Sequence, residues 1–199
     1  MHPMTDKQEK IFEDDLTARK NGRIYLKYAR VPFTGTAITE RIPDNPFNLN
    51  TLLRRTKYKD GKRHGPREDF RKNGQLWYRE NYKDGERHGS WEYFDEDGQL
   101  ESTQSFKDGE EHGSWEWFRA NGQLKSTQSF KNGKRHGPWE EFHANGRLES
   151  TGNYKNGKRY GLRELFYKNG RLQFKGNFKD GNPDGPWKYF DEGGQLQWL

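Results

Sequence analysis

Hydrophobic and polar side chains recur along the chain with a 24-residue period. Each period opens on a tyrosine or phenylalanine followed by Lys-Asp/Asn-Gly, and it carries glycine at position eight, phenylalanine at position thirteen and leucine at position nineteen. The opening aromatics are Tyr58, Tyr82, Phe106, Phe130, Tyr154 and Phe178. Short segments rich in aromatic residues and threonine, bounded by turn signals that contain glycine, predict two antiparallel strands in each period.

The Asn/Asp-Gly signal after the recurrent phenylalanine predicts the register of that hairpin. A three-residue loop with glycine in the left-handed conformation pairs Phe70 with Leu76, whereas a two-residue loop pairs Phe70 with Trp77. We predict the three-residue loop, because it places the two constant apolar positions opposite each other. Strict alternation then predicts that the opening aromatic shares a face with Phe70 and Leu76, and that the tryptophan at position ten lies on the other face.

The composition excludes a thick aliphatic core. Hydrophobic residues make up 28% of the 199 residues, and aromatic residues alone make up 15%. An α/β enzyme of this length needs aliphatic strands buried on both faces, and none is visible. In a repeat array each unit contacts only its neighbours. The sequence therefore predicts an all-β protein, namely an elongated antiparallel β-hairpin repeat array.

The predicted array begins at residue 58. Six units cover residues 58–81, 82–105, 106–129, 130–153, 154–177 and 178–199. Residues 1–57 are expected to form an N-terminal cap that contains degenerate repeats, with an insertion near residues 42–50. The pattern leaves open whether this cap contains only irregular strands or also one short helix between Lys7 and Arg19.

The units carry the motifs of a known family. The strings Gly133-Lys-Arg-His-Gly-Pro-Trp139, Asn145-Gly-Arg-Leu148 and Tyr154-Lys-Asn-Gly157 resemble MORN-variant repeats, in particular those of the YwqK-type antitoxin family of toxin–antitoxin systems. The resemblance extends upstream through Asn21-Gly-Arg-Ile-Tyr25 and Val31-Pro-Phe-Thr-Gly35. It implies MORN-like hairpins and a protein-binding scaffold, and the antitoxin resemblance implies neutralisation of a partner protein. It supplies no catalytic residue.

A column of histidines is the strongest candidate for a metal site. His64, His88, His112 and His136 occupy one position of successive units. Equivalent positions lie two strands apart, roughly 9 to 10 Å, whereas the nitrogen ligands of one zinc ion lie about 2.0 to 2.1 Å from it. Adjacent histidines therefore cannot share an ion without other ligands, and we predict a structural role in the turns. We expect no metal, no cofactor and no enzymatic activity.

Charge is distributed in blocks along the chain. The formal net charge is +7 over residues 1–81, −6 over residues 82–129 and +7 over residues 130–177. Nucleic-acid binding favours a continuous basic stripe, so an acidic middle argues against it. Alternating blocks suit a protein partner of complementary charge, while the simpler alternative is a solvated surface.

Two groups of residues are candidates for contact with a partner. The unit at residues 154–177 departs from the consensus of the repeat, and its candidate residues are Tyr160, Arg163, Leu165, Lys168, Arg171 and Phe174. The second group is the tryptophan column, Trp91, Trp115 and Trp139. Sequence drift is the alternative for the first group. Packing within the sheet is the alternative for the column, and about 10 Å between equivalent positions requires another side chain between neighbouring tryptophans.

These observations predict a non-enzymatic scaffold that binds a partner protein and possesses an antitoxin-like or immunity-like role. The alternative is binding of an anionic lipid surface or a glycan through the basic and aromatic columns. The sequence shows no secretory signal and no apolar segment of membrane-spanning length, which predicts a cytoplasmic location.

Overall fold

The computed structural model describes residues 11–40 and 51–197. The predicted insertion near residues 42–50 lies outside the described residues, and so does Lys7, where the alternative helix would begin. The chain divides into two compact units, Met1–Arg87 and His88–Leu199. The boundary proposed between residues 57 and 58 stays a prediction.

The first unit is built from eight described strands. They are β1 (Ile11–Phe12), β2 (Leu16–Ala18), β3 (Ile24–Leu26), β4 (Gly35–Glu40), β5 (Thr51–Lys59), β6 (Lys62–Arg71), β7 (Leu76–Lys83) and β8 (Glu86–Arg87). Strand β1 pairs with β4 in parallel, and β4 through β8 pair in antiparallel order. Strands β2 and β3 form a separate hairpin.

The described part of the segment between Lys7 and Arg19 forms no α-helix. Strands β1 and β2 occupy it, separated by a short 3-10 helix at Glu13–Asp15. Pairing of Ile11 with Ala37 in the parallel ladder favours the extended conformation there. Of the two alternatives, the described part of this segment adopts the irregular strands.

A small hydrophobic core joins the hairpin to the sheet in the first unit. Phe33, Ala37 and Tyr58 are buried, and the partly buried residues Ile11, Leu16, Ile24 and Leu26 pack against them. The rings of Phe33 and Tyr58 are 5.7 Å apart. Tyr58 pairs with Gly35 as Tyr82 pairs with Gly65, so β4 and β5 have the same register as the strands of a complete 24-residue repeat.

The second unit contains twelve described strands. They are β9 (Gly89–Phe94), β10 (Leu100–Lys107), β11 (Glu110–Glu111), β12 (Gly113–Phe118), β13 (Leu124–Lys131), β14 (Lys134–Phe142), β15 (Leu148–Lys155), β16 (Lys158–Arg159), β17 (Gly161–Phe166), β18 (Leu172–Lys179), β19 (Asn182–Phe190) and β20 (Leu196–Gln197). All their pairings are antiparallel. The predicted all-β array of antiparallel hairpins is confirmed.

Two turn types alternate, and both follow from local sequence. At the three-residue loop, the Gly74 amide donates to the Arg71 carbonyl at 2.9 Å, Gly74 has a φ of 84°, and Phe70 pairs with Leu76. The predicted loop and register are therefore confirmed. At the other turn, Asp60 and Gly61 both have positive φ, 50° and 74°, which is the two-residue type I′ hairpin that Asp-Gly favours.

The face predicted for the opening aromatic is wrong. Phe118 pairs with Leu124, whereas the preceding Trp117 pairs with Ser126, so Lys125 is the extra residue of a bulge. The same shift next to the loop recurs in other hairpins. A bulge puts one extra residue into one strand and breaks the alternation. The opening aromatic therefore lies with the tryptophan of position ten and not with the Phe–Leu pair.

Successive 24-residue repeats are also joined through their type I′ turns. The Gly85 amide donates to the Arg63 carbonyl at 2.8 Å, and the Gly157 amide donates to the Arg135 carbonyl at 2.8 Å. These bonds link a turn to the strand 22 residues earlier. They satisfy backbone donors that a single hairpin would leave without a protein partner.

Candidate functional site

One face of the second unit carries a row of aromatic rings. We call it the aromatic face; it is defined by Trp91, Phe106, Trp115, Phe130, Trp139, Arg163, Phe174 and Trp187. Ring centroids are 4.6 Å apart for Trp91 and Phe106, and 5.9 Å apart for Phe106 and Trp115. The prediction that another side chain lies between neighbouring tryptophans is thus confirmed for this pair. Trp91 is only 4% exposed, so its surface is used mainly for packing.

A groove of about 580 Å³ opens on this face. Trp115 and Phe130, whose ring centroids are 4.5 Å apart, line one part of it, and Trp139 and Arg163 line another. Its size falls within the range of small ligand sites. A Cβ atom at Gly152 would lie 2.7 Å from Nε1 of Trp139, so glycine is needed there for the indole to keep its position.

Arg163 is the most unusual side chain of the groove. Its guanidinium carbon lies 5.9 Å from the Trp139 ring centroid and 5.3 Å from that of Phe174. Its Nε is buried and has no hydrogen-bond partner among the described residues. Burial lowers the pKa of Arg163, and nearby Arg159 lowers it further, while Glu141 and Tyr154 oppose this shift. The groove therefore holds a partly dehydrated cation without an ion-pair partner in the described chain.

The charged lining of the groove is mainly basic. Lys125, Arg135 and Arg159 join Arg163 in the lining, and Glu141 is the acidic member. Oε2 of Glu141 accepts a hydrogen bond of 2.9 Å from the Ser150 hydroxyl. The groove thus combines an excess of positive charge with aromatic walls.

The candidate residues of the repeat at residues 154–177 lie in three separate places. Leu165 and Phe174 are directly paired and lie with Arg163 on the aromatic face. Tyr160 is 47% exposed beside the type I′ turn, where the Lys155 ammonium lies 5.0 Å from its ring centroid. Lys168 and Arg171 lie in the three-residue loop region at the opposite end of the hairpin and are exposed.

The three tryptophan candidates are not equally accessible. Trp115 and Trp139 line the groove, whereas Trp91 does not. Trp139 is 9% exposed and Trp115 is half-buried. The groove therefore unites Trp115, Trp139 and Arg163 from the nine residues that the sequence suggested.

The first unit contains a polar network that the repeat pattern does not predict. Asp69 is fully buried and binds the Arg54 guanidinium through both carboxylate oxygens at 2.8 to 3.2 Å. The Tyr78 hydroxyl donates to Asp69 at 2.6 Å, and Arg67 donates to the same hydroxyl at 2.6 Å. Arg67 also pairs with Glu80 at 3.1 Å. We call Arg54, Arg67, Asp69, Tyr78 and Glu80 the buried network.

The pKa shifts show that the buried network compensates its own charges. Burial alone would raise the pKa of Asp69, but hydrogen bonds from Arg54 and Tyr78 outweigh it and hold that pKa below its ordinary value. Burial would lower the pKa of Arg67, but Tyr78 and Asp69 outweigh it and raise that pKa. Burial and the bond to Asp69 raise the pKa of Tyr78. This network is a structural arrangement that needs no external ligand.

His64 and His136 of the histidine column contact turns. His64 Nδ1 lies 3.3 Å from Oδ1 of Asp84 and accepts from the Asp84 amide at 3.4 Å. His136 contacts Asn156 with the same geometry. These contacts support the predicted role in the turns. Among the residues that the structure describes, no group of three or more His, Cys, Asp or Glu side chains could hold a metal ion.

Within residues 11–40 and 51–197, no helix has the length and apolar character required to cross a bilayer.

The model of the MORN repeat variant family matches the chain at residues 63–84, 87–108, 111–132, 135–156, 159–180 and 183–197. These matches cover more than half of the chain, which therefore belongs to this family. A search of curated proteins returned no match.

Two solved structures of TarM align with part of the chain. One is a mutant of S. aureus TarM in complex with Fondaparinux, alpha-GlcNAc-glycerol and UDP, with a TM-score of 0.35, and the other is TarM, with a TM-score of 0.34. Each is 17% identical to this chain, and each alignment covers 56% of this chain and 21% of the TarM chain. The chain thus spans about a fifth of the TarM length, and scores this low carry no functional argument.

Proposed function

We propose that this MORN repeat variant protein is a non-enzymatic scaffold that binds a partner protein through the aromatic face of its second unit. The observation that carries the proposal is the groove in which Trp115, Trp139 and Arg163 meet. Aromatic and arginine side chains are enriched at the centres of protein interfaces, where they contribute most of the binding energy.

The proposed role is neutralisation of a toxic partner by steric occlusion, in the cytoplasm. It is supported by the resemblance to YwqK-type antitoxins and by the excess of basic side chains in the groove. A partner that carries a complementary acidic segment would be attracted to this surface and held there once the aromatic side chains are covered.

Coexpression with the product of an adjacent gene tests this proposal. We expect the wild-type chain to restore growth and to co-elute with that protein in size-exclusion chromatography. The double variant Arg159→Glu/Arg163→Glu should weaken the complex at least tenfold. The matched control is Lys175→Glu/Lys188→Glu, whose positions alternate with Phe174 and Tyr189 and lie on the opposite face. No complex with any adjacent product, or equal loss in both variants, would contradict the proposal.

A second candidate function is attachment to an anionic lipid surface. It is favoured by two neighbouring type I′ turns whose charged residues are all basic and exposed, namely Lys131, Lys134, Arg135, Lys155, Lys158 and Arg159. A basic residue near an anionic membrane contributes about 1 kcal/mol to attraction. Flotation with phosphatidylserine vesicles should then depend on Lys134 and Lys158, which do not line the groove.

A further inference from the structure

Two arginines replace the tryptophan of position ten, and their surroundings differ. Arg67 lies in the first unit and bonds to Glu80 at 3.1 Å and to the Tyr78 hydroxyl at 2.6 Å. Arg163 holds the same position in the repeat at residues 154–177. The Nε atom is buried without a hydrogen-bond partner in both arginines, but no described residue forms an ion pair or a hydrogen bond with the terminal nitrogens of Arg163. The same substitution is therefore compensated in one place and uncompensated in the other.

The cause of this difference is visible in the repeat itself. The partners of Arg67 stand at positions twelve, twenty-one and twenty-three, as Asp69, Tyr78 and Glu80. In the unit of Arg163 these positions hold Leu165, Phe174 and Gly176. None of these three residues has a side-chain atom that can accept a hydrogen bond.

The geometry around Arg163 restricts what can bind it. Trp139 and Phe174 lie within 6 Å of the guanidinium carbon, a distance typical of cation–π contacts. The Nε atom is buried, so the two terminal nitrogens form the edge that is left for a partner. A guanidinium edge matches a planar carboxylate through two parallel hydrogen bonds.

We infer that Arg163 is the recognition point for a carboxylate of an acidic, aromatic-containing segment of the partner protein, an inference that rests on the proposed function. The acidic side chain pairs with Arg163, and the apolar side chain beside it covers Trp115 and Trp139. Arg135 and Arg159 add attraction at the rim of the groove.

A single carboxylate fits this groove better than a phosphate or a sulfated glycan. Glu141 belongs to the lining, and a densely charged anion would bring several negative charges close to it. The aromatic walls also favour a ligand with apolar surface next to its charge. A peptide segment supplies both properties from adjacent residues.

Titration of the full chain with short blocked peptides tests this inference. The probe alternates glutamate and phenylalanine, and the matched probe has glutamine in place of glutamate. We expect calorimetry to detect binding of the acidic probe and at least tenfold weaker binding of the glutamine probe. A tenfold change corresponds to about 1.4 kcal/mol.

Two variants test the part played by Arg163. Arg163→Trp restores the residue found at this position in four other units, so it should fold, and it should bind the acidic probe at least tenfold more weakly. Leu165→Asp/Phe174→Tyr keeps Arg163 but supplies two of the three partners that Arg67 has, and it should weaken the same binding. Lys188→Gln removes one exposed charge on the opposite face and should bind as the wild type does.

The inference is overturned if the two peptides bind equally, if Arg163→Trp binds as the wild type does, or if no peptide binds. Binding of inorganic phosphate or a sulfated oligosaccharide, without binding of the acidic peptide, would also overturn it. If the adjacent gene product still binds Arg163→Trp with unchanged affinity, the proposed function stands and this inference fails. If only the peptide binds, through Arg163, the carboxylate site stands and the proposed partner is wrong.

Discussion

Replacement of Asp69 by asparagine tests whether the buried network stabilises the first unit. Asparagine keeps the shape of the side chain but removes its charge, leaving Arg54 and Arg67 with less compensation. Their side chains are 21% and 15% exposed, and that of Asp69 is 0% exposed. Removal of one partner from a buried ion pair costs about 3 to 5 kcal/mol. We expect a loss of this size for Asp69→Asn.

Amide hydrogen exchange gives the appropriate measurement, because a repeat array need not unfold in one step. Peptides from β5, β6 and β7 report on the network directly. A loss of about 3 to 5 kcal/mol accelerates their exchange by about two to three and a half orders of magnitude. Peptides from the second unit should be affected much less.

The pH dependence of this difference has a defined sign. The pKa of Asp69 is held below its ordinary value of 3.8, so its contribution to stability is present above that value. It is lost as the pH falls through the lowered pKa of the folded state. The difference in unfolding free energy between wild type and Asp69→Asn should therefore stay constant between about pH 5 and pH 8 and shrink below about pH 4.

The matched control is Asp60→Asn. It makes the same chemical change at an exposed turn position, and the equivalent positions of two other units already hold asparagine, Asn132 and Asn156. We expect a change within about 0.5 kcal/mol. If Asp69→Asn exchanges no faster than Asp60→Asn in β5 to β7, the network does not stabilise the unit and the reasoning is refuted.

Three further substitutions test the packing and the turns. Gly152→Ala places a Cβ atom 2.7 Å from Nε1 of Trp139 and should cost about 1 to 3 kcal/mol in thermal melts, with a shift in tryptophan fluorescence. Phe118→Ala should cost about 1 to 2 kcal/mol in urea titrations, less than the roughly 3 to 5 kcal/mol of a fully buried phenylalanine, because Phe118 is half-buried. His64→Ala removes an acceptor of the Asp84 amide and should cost less than about 1 kcal/mol in the same titrations, since water can replace the ring at this exposed turn.

The turns and the hairpin register could be predicted because they depend on local chemistry. Gly74 supplies the left-handed conformation that closes the three-residue loop, and the pairing of Phe70 with Leu76 follows from the loop length. Both features involve residues within six positions of each other. Sequence alone is sufficient at this range, since turn type restricts residue type directly.

The face of the opening aromatic could not be predicted by alternation. The bulge at Lys125 adds one residue to β13 but none to its partner β12, and no glycine or proline marks it. Bulges of this kind are defined by the pairing of two strands rather than by the sequence of one. Alternation along a single strand therefore assigns the opening aromatic to the wrong face.

The buried network is visible in the sequence as polar residues at repeat positions that are aromatic in other units. Neither the alternation of side chains nor the repeat pattern indicates what these polar residues bind. Arg67 replaces a tryptophan, and Asp69 stands where Tyr93 and Trp117 occur in the next units. Their partners come from other strands, up to fifteen residues away. Only the register across β5, β6 and β7 shows that these polar side chains face one another.

The net charge of a repeat does not identify the binding surface, because ion pairs within the chain decide which charged side chains can bind a partner. The unit at residues 58–81 has a net charge of +3, and its central arginine, Arg67, is paired within the chain. The unit at residues 154–177 has a net charge of +6, and its single carboxylate, Glu164, alternates with Arg163 and lies on the opposite face. That unit therefore provides no carboxylate of its own for Arg163. An external carboxylate would compete there with Glu141, which lines the same groove but forms no ion pair with Arg163, whereas at Arg67 it would have to displace Glu80 and Asp69.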